Sequence, residues 1–471
     1  MYSSRIASWI DAISSVINVT LVVLLKPNGC GPTRGTTSMN EAVIAKGHEC
    51  PGKNGIVRGV RGVIPLPQKR RIPTVCWKVE RGARHNYRLL GRRLAAANKQ
   101  LHRNGASGQG LIQVQDSGDV RHIARAAQLA PIIVDSLTIQ VTKEGKVVGE
   151  LPAAVHLNAM LCAETFLGHF RPLDLVTSHP LYCSDFSFAR PGYQESADEG
   201  CLLYLGPEPQ VVDSAETVNR FLDVMAFATN ADRTNAVAAA LTVLLRNHWP
   251  GAKPVVVVTA TKSHAGKGTI TEFIRGNVAK ADVLYESIDW PMQSQLQRQF
   301  AQNPEIGVMC LDNVRLDSAG GKGRFIRSGF LESFVTSHEI HLAAPGAGEP
   351  ARFKNRFVMA ITTNDGMLSP DLLNRALPIH LAPKGNVQSR QSPIGNPKLE
   401  FLPQNQERIA AELRGMIERW KACGQPLDDT AQHPMTPWAR TVGGIVRANG
   451  FTDFLANYKT RVTPDLAFRG R

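Results

Sequence analysis

Four consecutive valines at 255–258 run through Thr259 and Ala260 into a loop that ends in Gly266-Lys267-Gly268-Thr269. Ile270, Phe273 and Ile274 then recur at helical spacing. A β-branched run, a short polar loop and an amphipathic helix, in that order, commit the chain to a strand whose carboxyl end turns directly into a helix N-terminus. Such a junction suits phosphate. Loop N–H groups turn inward on the oxygens, the helix end adds partial positive charge, and a lysine at the helix start reaches the β and γ positions. The cradle takes in Thr261, Lys262, Ser263, His264, Ala265, Gly266, Lys267, Gly268 and Thr269. The pattern G-x-x-x-x-G-K-[ST] asks for Gly at 261 and a hydroxyl at 268, where this chain has Thr261 and Gly268. The hydroxyl arrives one place late, so Thr269 becomes the candidate metal ligand.

Two further apolar runs end in polar side chains. Residues 306–311 close on Asp312, and residues 357–363 close on Asn364. Strands this apolar, separated by helical stretches, indicate a parallel α/β sheet covered on both faces. Such sheets bind ligands at the carboxyl ends of their strands, where Asp312 and Asn364 fall. Hydrolysing a nucleoside triphosphate takes a phosphate cradle, a carboxylate for the metal, a group that orients water and a positive charge for the transition state. Lys267, Asp312, Asn364 and Arg375 fill those places in turn. ATP and Mg2+ are the expected cofactors, with Thr269 and Asp312 holding the metal. Plainer readings stand beside these: an Asp at a strand end caps a turn, Asn364 opens an Asn-Asp-Gly turn, and Arg375 forms a buried salt bridge.

The chain's 471 residues suffice for two to four domains. Its eight cysteines are scattered, with no C-x-x-C pair and no zinc spacing. That argues against a disulfide framework or a metal cluster and for a reducing, cytoplasmic compartment. The net charge of +14 is concentrated: residues 1–110 hold 18 Lys and Arg against 4 Asp and Glu, and the remainder is balanced at 36 each. A basic arm of this kind neutralises nucleic-acid phosphates, or is simply a solvated tail. The apolar stretch 16–25 is too short to span a bilayer and lacks a cleavage site after it, so no membrane partner is expected.

Composition and pattern divide the chain into a basic arm over 1–90, disordered or an over-extended start of the reading frame, and a mixed α+β domain over 91–210. A P-loop core over 211–385 and a helical domain over 386–471 follow. Within them we expect a basic helix over 86–104, a hairpin from 137–142 and 147–151, and a helix from Pro152 to Phe166. Asp213-Ser-Ala-Glu216 reads as a capping box for a helix reaching Phe227. Further helices are expected over 232–247, 406–422 and 437–457, with a Pro/Gly/Gln/Asn-rich connector over 383–403. Residues 330–342 read as helix then strand, 343–350 as a turn-rich tip and 351–357 as the return. That hairpin is expected to leave the same sheet edge as the catalytic groups and to carry Arg352 and Lys354 to a DNA backbone, unless those two side chains are merely solvated.

The order of these parts resembles the superfamily-three branch of AAA+ helicases. More narrowly it resembles the helicase half of phage, plasmid and poxvirus-type primase–helicases. Arg171-Pro-Leu-Asp-Leu-Val176, His179-Pro-Leu181, Pro191-Gly-Tyr193, Phe221-Leu-Asp-Val-Met225 and Ala231-Asp-Arg-Thr-Asn-Ala236 are similar to the region ahead of the ATPase core in that family. The resemblance implies an AAA+-type P-loop NTPase core, preceded by a mixed α+β domain and followed by a small helical domain. It implies a hexameric ring that threads single-stranded DNA in mobile-element replication, with replication proteins as possible partners. In its terms Lys267 and Thr269 bind phosphate and metal, and Asp312 is the Walker B carboxylate. Asn364 is sensor 1, Arg375 a finger acting on a neighbouring subunit, and 343–354 the DNA-contacting hairpin. One departure matters: the family's second acidic residue is replaced by Asn313, with Asp317 or Glu305 as possible substitutes. Two other readings remain, a regulatory or assembly ATPase with weak hydrolysis and a small-molecule phosphotransferase. The second rests on Gly-Lys-Gly-Thr, which adenylate-kinase-like enzymes share, but the lid of arginines those enzymes need is not evident.

Overall fold

Five parallel strands form the central sheet of the computed structural model. It describes residues 72–458 apart from 106–107, 197–199, 304, 315–324, 343–350, 365–366 and 386–390. In spatial order the strands are Ala279–Asp282, Ile306–Val314, Val358–Thr363, Val255–Ala260 and Ala376–Leu381. The valine run lies next to last, hydrogen-bonded on both sides, with Val255, Val256 and Val258 wholly inaccessible. That burial is why the run carries no polar alternation. Helices Asn230–Leu244, Lys267–Arg275 and Asp289–Gln302 cover the sheet, so the fold is α/β, as a P-loop NTPase core requires.

The register sets where side chains emerge. Val255 pairs with Ala376 and Ala260 with Leu381, while Val256 pairs with Ala360. The phosphate loop, Asp312 and Asn364 therefore leave the carboxyl edge together. Arg375 precedes Ala376 and so sits at the amino edge. Five steps of about 3.3 Å, roughly 17 Å, separate the two edges.

The helical C-terminal part does not build a core of its own. Leu402–Ala422 and Thr436–Ala448 pack on Glu216–Val224 and Asn230–Leu244, and Trp420 and Trp438 are buried in the same core as the valine strand. A polar clip ties this end down. Asp232 is fully buried and accepts from the Thr229 amide and hydroxyl, the His380 amide and the Asn457 side-chain amide. Asn235 bridges Pro378 O, Asn457 Oδ1 and the Leu455 amide.

Before the sheet, a second core gathers Trp77, Leu90, Leu94, Leu129, Ile133 and Phe166. Small sheets surround it, among them Thr74–Lys78 parallel to Thr138–Lys143 and a three-stranded sheet of Leu175–Thr177, Gly200–Tyr204 and Gly192–Ser196. The expected hairpin forms from Thr138–Lys143 and Lys146–Gly149. No helix among the described residues is long and apolar enough to cross a membrane.

Several expectations change. The basic arm over 1–90 is too long, because a strand and a helix, Thr74–Lys78 and Gly82–Ala97, fill its last part. The helix ends at Ala97 instead of 104, where Leu101–Asn104 pairs as a strand. The apolar stretch 16–25 lies outside the described residues. The Pro152 helix breaks into Ala154–Met160 and Glu164–Leu167. Asp213 is spent on Arg419, and the capping box forms instead between Thr229 and Asp232. The last helix stops at Ala448, ahead of left-handed Gly450.

Candidate nucleotide site

Two left-handed residues shape the phosphate loop. His264 has φ +60° and Gly266 has φ +97°. Such conformations turn successive N–H groups toward one side of the loop, the arrangement that holds an anion. A side chain at 266 would be strained by the positive φ, which is why glycine stands there, and it would also push aside the end of Met225, whose Cε lies 2.9 Å from the Cβ position. The helix starts at Lys267, with Thr269 N and Ile270 N donating to Gly266 O. Its N-terminus, and with it the positive end of the helix dipole, borders the cleft.

Seven loop residues, Ser263 to Thr269, line that cleft together with Asp312, Asn313 and Asn364. Lys267 Nζ donates to Asn364 Oδ1 at 2.6 Å, joining the cradle to the neighbouring strand end. Thr261 and Lys262, expected in the cradle, stand outside its wall: Thr261 N donates to Leu381 O and Lys262 Nζ to Gly385 O. Thr269 reaches the wall despite its offset, since one residue is about 100° around a helix and both positions face the loop side. The hydroxyl of Thr269 and the carboxylate of Asp312 are hard oxygen donors on one cleft, a set that fits Mg2+ with water completing the shell.

The Asp312 strand carries a bulge. Leu311 pairs with Ile361 but Val314 pairs with Thr363, one residue too many on the Asp312 side. Asn313 takes up the excess at φ +51°, a left-handed conformation that Asn tolerates better than most residues. Ordinary alternation would send 312 and 313 to opposite faces; the bulge turns both to the cleft. Thr362, fully buried, holds it in place. Its hydroxyl donates to Asp312 Oδ1 at 2.5 Å and accepts from Asn313 N at 2.7 Å. Thr363 Oγ1 adds a bond to Val314 O.

A third wall comes from the expected connector. Asn396 accepts from Lys398 N and Leu399 N, and Glu400 accepts from Asn396 N, which folds the chain back over the loop. Asn396, Lys398 and Leu399 line the cleft, and Lys398 Nζ lies 3.3 Å from where a Cβ on Gly268 would stand. Gly268 thus leaves room for a second cation beside Lys267. No arginine lines the cleft among the described residues, so the lid that a small-molecule phosphotransferase needs is not found there.

The remaining candidates lie elsewhere. Arg375 is at the amino edge, its guanidinium donating to Asp371 O. Arg352 and Lys354 lie on Ala351–Lys354, antiparallel to Glu339–Leu342, and the chain then enters the Asn364 strand at its amino end. The hairpin is therefore at the edge opposite the phosphate loop, because a segment leading into a parallel strand must meet its start. Its tip, 343–350, lies outside the described residues. Glu305 cannot replace the missing carboxylate: it precedes the Asp312 strand at the amino edge and accepts from the Ser178 amide and hydroxyl. Asp317 lies outside the described residues.

No family model matches the chain, and no curated protein matches it. Among solved structures it is similar to the NrS-1 C-terminal region, at 11% identity over 81% of this chain and 84% of that one, with a TM-score of 0.44. A second structure of that region gives 13% identity, 69% and 68% coverage and a TM-score of 0.43. A JCV helicase structure gives 15% identity over 54% of this chain and 73% of that one, with a TM-score of 0.24.

Proposed function

We propose that this chain is an ATP-binding, Mg2+-dependent ATPase that moves on single-stranded DNA as a homo-oligomeric ring. The observation that carries the nucleotide part is the 2.6 Å contact of Lys267 with Asn364 across a cleft that also holds Asp312. Lys267, Lys398 and the helix N-terminus take the triphosphate, while Thr269 and Asp312 hold the metal that neutralises the β and γ oxygens. Asn364 orients the attacking water. Arg375, remote from its own cleft, supplies transition-state charge to the cleft of a neighbouring subunit. That remoteness is what supports a ring over a monomer.

The site has one carboxylate where efficient hydrolysis uses two, since Asn313 orients but cannot accept a proton. This favours slow basal turnover and keeps a regulatory or assembly ATPase as the second reading. ATPase rate measured against oligo(dT) concentration, with ATP and Mg2+, separates the two. The translocase reading expects a several-fold rise with DNA; a flat rate with retained ATP binding selects the regulator.

A further inference from the structure

We propose that the cleft between strand Leu175–Thr177 and the amino edge of the central sheet is an anchoring site for a backbone phosphate of a single nucleic-acid strand. The cavity measures about 460 Å3 and includes Arg246, Asn247, Arg352, Lys354 and Arg356 in its lining. Asn247 is 4% exposed, yet neither its amide oxygen nor its amide nitrogen has a hydrogen-bond partner. Buried amides are costly to leave unbonded, so an unbonded one among the residues lining a cavity points to a ligand there.

Cations surround it. Arg246 is 5% exposed and donates only to Val243 O among the bonds seen. Burial, and then the charge of Arg356, push it down to about 10, with Glu305 opposing. Three carboxylates share the lining: Glu305 accepts from Ser178, Asp174 accepts from the Cys201 amide, and Glu339 lies opposite Lys354 in the hairpin register, so the four basic side chains outnumber them by one. Guanidinium groups and an amide donor suit the oxygens of a phosphate.

Continuity favours a strand over a free ion. A second cavity shares Asp174, Val176, Phe300 and Phe353 with the first and opens onto the small sheets. There the His102 and Tyr193 rings stack with centroids 6.0 Å apart at 22°, and Arg171 lies 5.3 Å over Tyr193. An aromatic face backed by a cation accepts a stacked base without regard to sequence. Because the two cavities share lining residues, one strand can run from the phosphate pocket to the stacking face.

The site rests on the reading of this chain as a DNA-binding protein but not on ATP hydrolysis, so the test omits nucleotide. Fluorescein-labelled oligo(dT) is titrated with the full chain across a salt series. Asn247→Leu should weaken binding at least tenfold while the melting temperature holds or rises, because the substitution removes an unbonded amide. Arg352→Ala, on an exposed side chain, should lower the log–log salt slope by about one phosphate contact. Tyr193→Ala should weaken oligo(dT) binding and leave displacement by inorganic phosphate unchanged. Unaltered affinity and slope in Asn247→Leu and Arg352→Ala would overturn the proposal. So would oligo(dT) binding indifferent to Tyr193, with inorganic phosphate alone filling the pocket. A wild-type chain without ATP turnover whose DNA binding still depends on Asn247 would sink the ATPase reading and leave this site standing.

Discussion

The two edges of one sheet are built on opposite plans. At the carboxyl edge, functional groups stand within a few residues of their strand ends: the loop after Ala260, Asp312 near the end of Ile306–Val314, and Asn364 after Thr363. At the amino edge, Arg246 comes from a helix end, Arg356 from a strand approach, and Asp174 from a different subsheet. The first edge concentrates acceptors and cations on one small cleft. The second gathers four basic side chains, Arg246, Arg352, Lys354 and Arg356, around one cavity. The first is built mostly from strand ends of one sheet, closed by the segment at 396–399, while the second draws in elements from outside that sheet.

The sharpest way to break this contrast is to ask whether the edges meet across subunits. Lys267→Ala and Arg375→Ala should each cut ATPase activity by about 10³-fold, as loss of a phosphate lysine or a transition-state arginine does. Mixed together they should recover part of the rate, because one chain keeps the cradle and the other the arginine. No recovery in mixed samples would place Arg375 in a structural role. A smaller effect of opposite sign is expected from Asn313→Asp. The backbone tolerates Asp at φ +51°, and a proton acceptor beside Asp312 should raise turnover about 10²-fold in single-turnover assays.

Thr362 tests the bulge. Thr362→Val removes the hydroxyl that Asp312 and the Asn313 amide share, and should cost about 1–3 kcal/mol in denaturant unfolding. Turnover should fall more than KM rises, and Thr362→Ser should restore both. Equal stability and activity in all three would mean the bulge holds without it. The remaining test concerns the amino edge. Burial, then the charges of Arg246 and Arg356, push the Lys253 ammonium down to about 7 from its ordinary 10.5. The unfolded chain keeps that proton up to about pH 10.5, so between pH 7 and 10.5 unfolding takes up a proton and stability rises with pH. Lys253→Met should flatten that rise in thermal melts; an unchanged slope would assign it to other groups.

How much was legible in the sequence follows from the same contrast. The valine run, the loop, Asp312 and Asn364 were readable because strand, loop and helix follow in contiguous sequence. Thr261 and Lys262 fall outside the cleft wall, since a motif window says which residues are near the loop but not which face the cleft. The bulge was hidden because a strand apolar at every position has no alternation from which to notice an extra residue. Lys398 was missed because a Pro- and Asn-rich segment reads as a linker, and only the Asn396 cap shows that it folds back. The hairpin's side of the sheet was misjudged by weighing its nearness to Asn364 in sequence over the direction of the strand between them.

The clip around Asp232 has a consequence for synthesis on the ribosome. Asp232 and Asn235 lie near the middle of the chain, yet both take partners from 455–457, which are made more than two hundred residues later. Until that tail emerges, a carboxylate destined for full burial lacks one of its four donors, and the helix carrying it cannot seat finally against the sheet. The valine strand can pair early, but the helix carrying Asp232 and Asn235 gains its full set of donors only after residue 457 has been made. A chain cut short before Thr452 would therefore keep the valine strand but leave Asp232 and Asn235 short of donors inside the core.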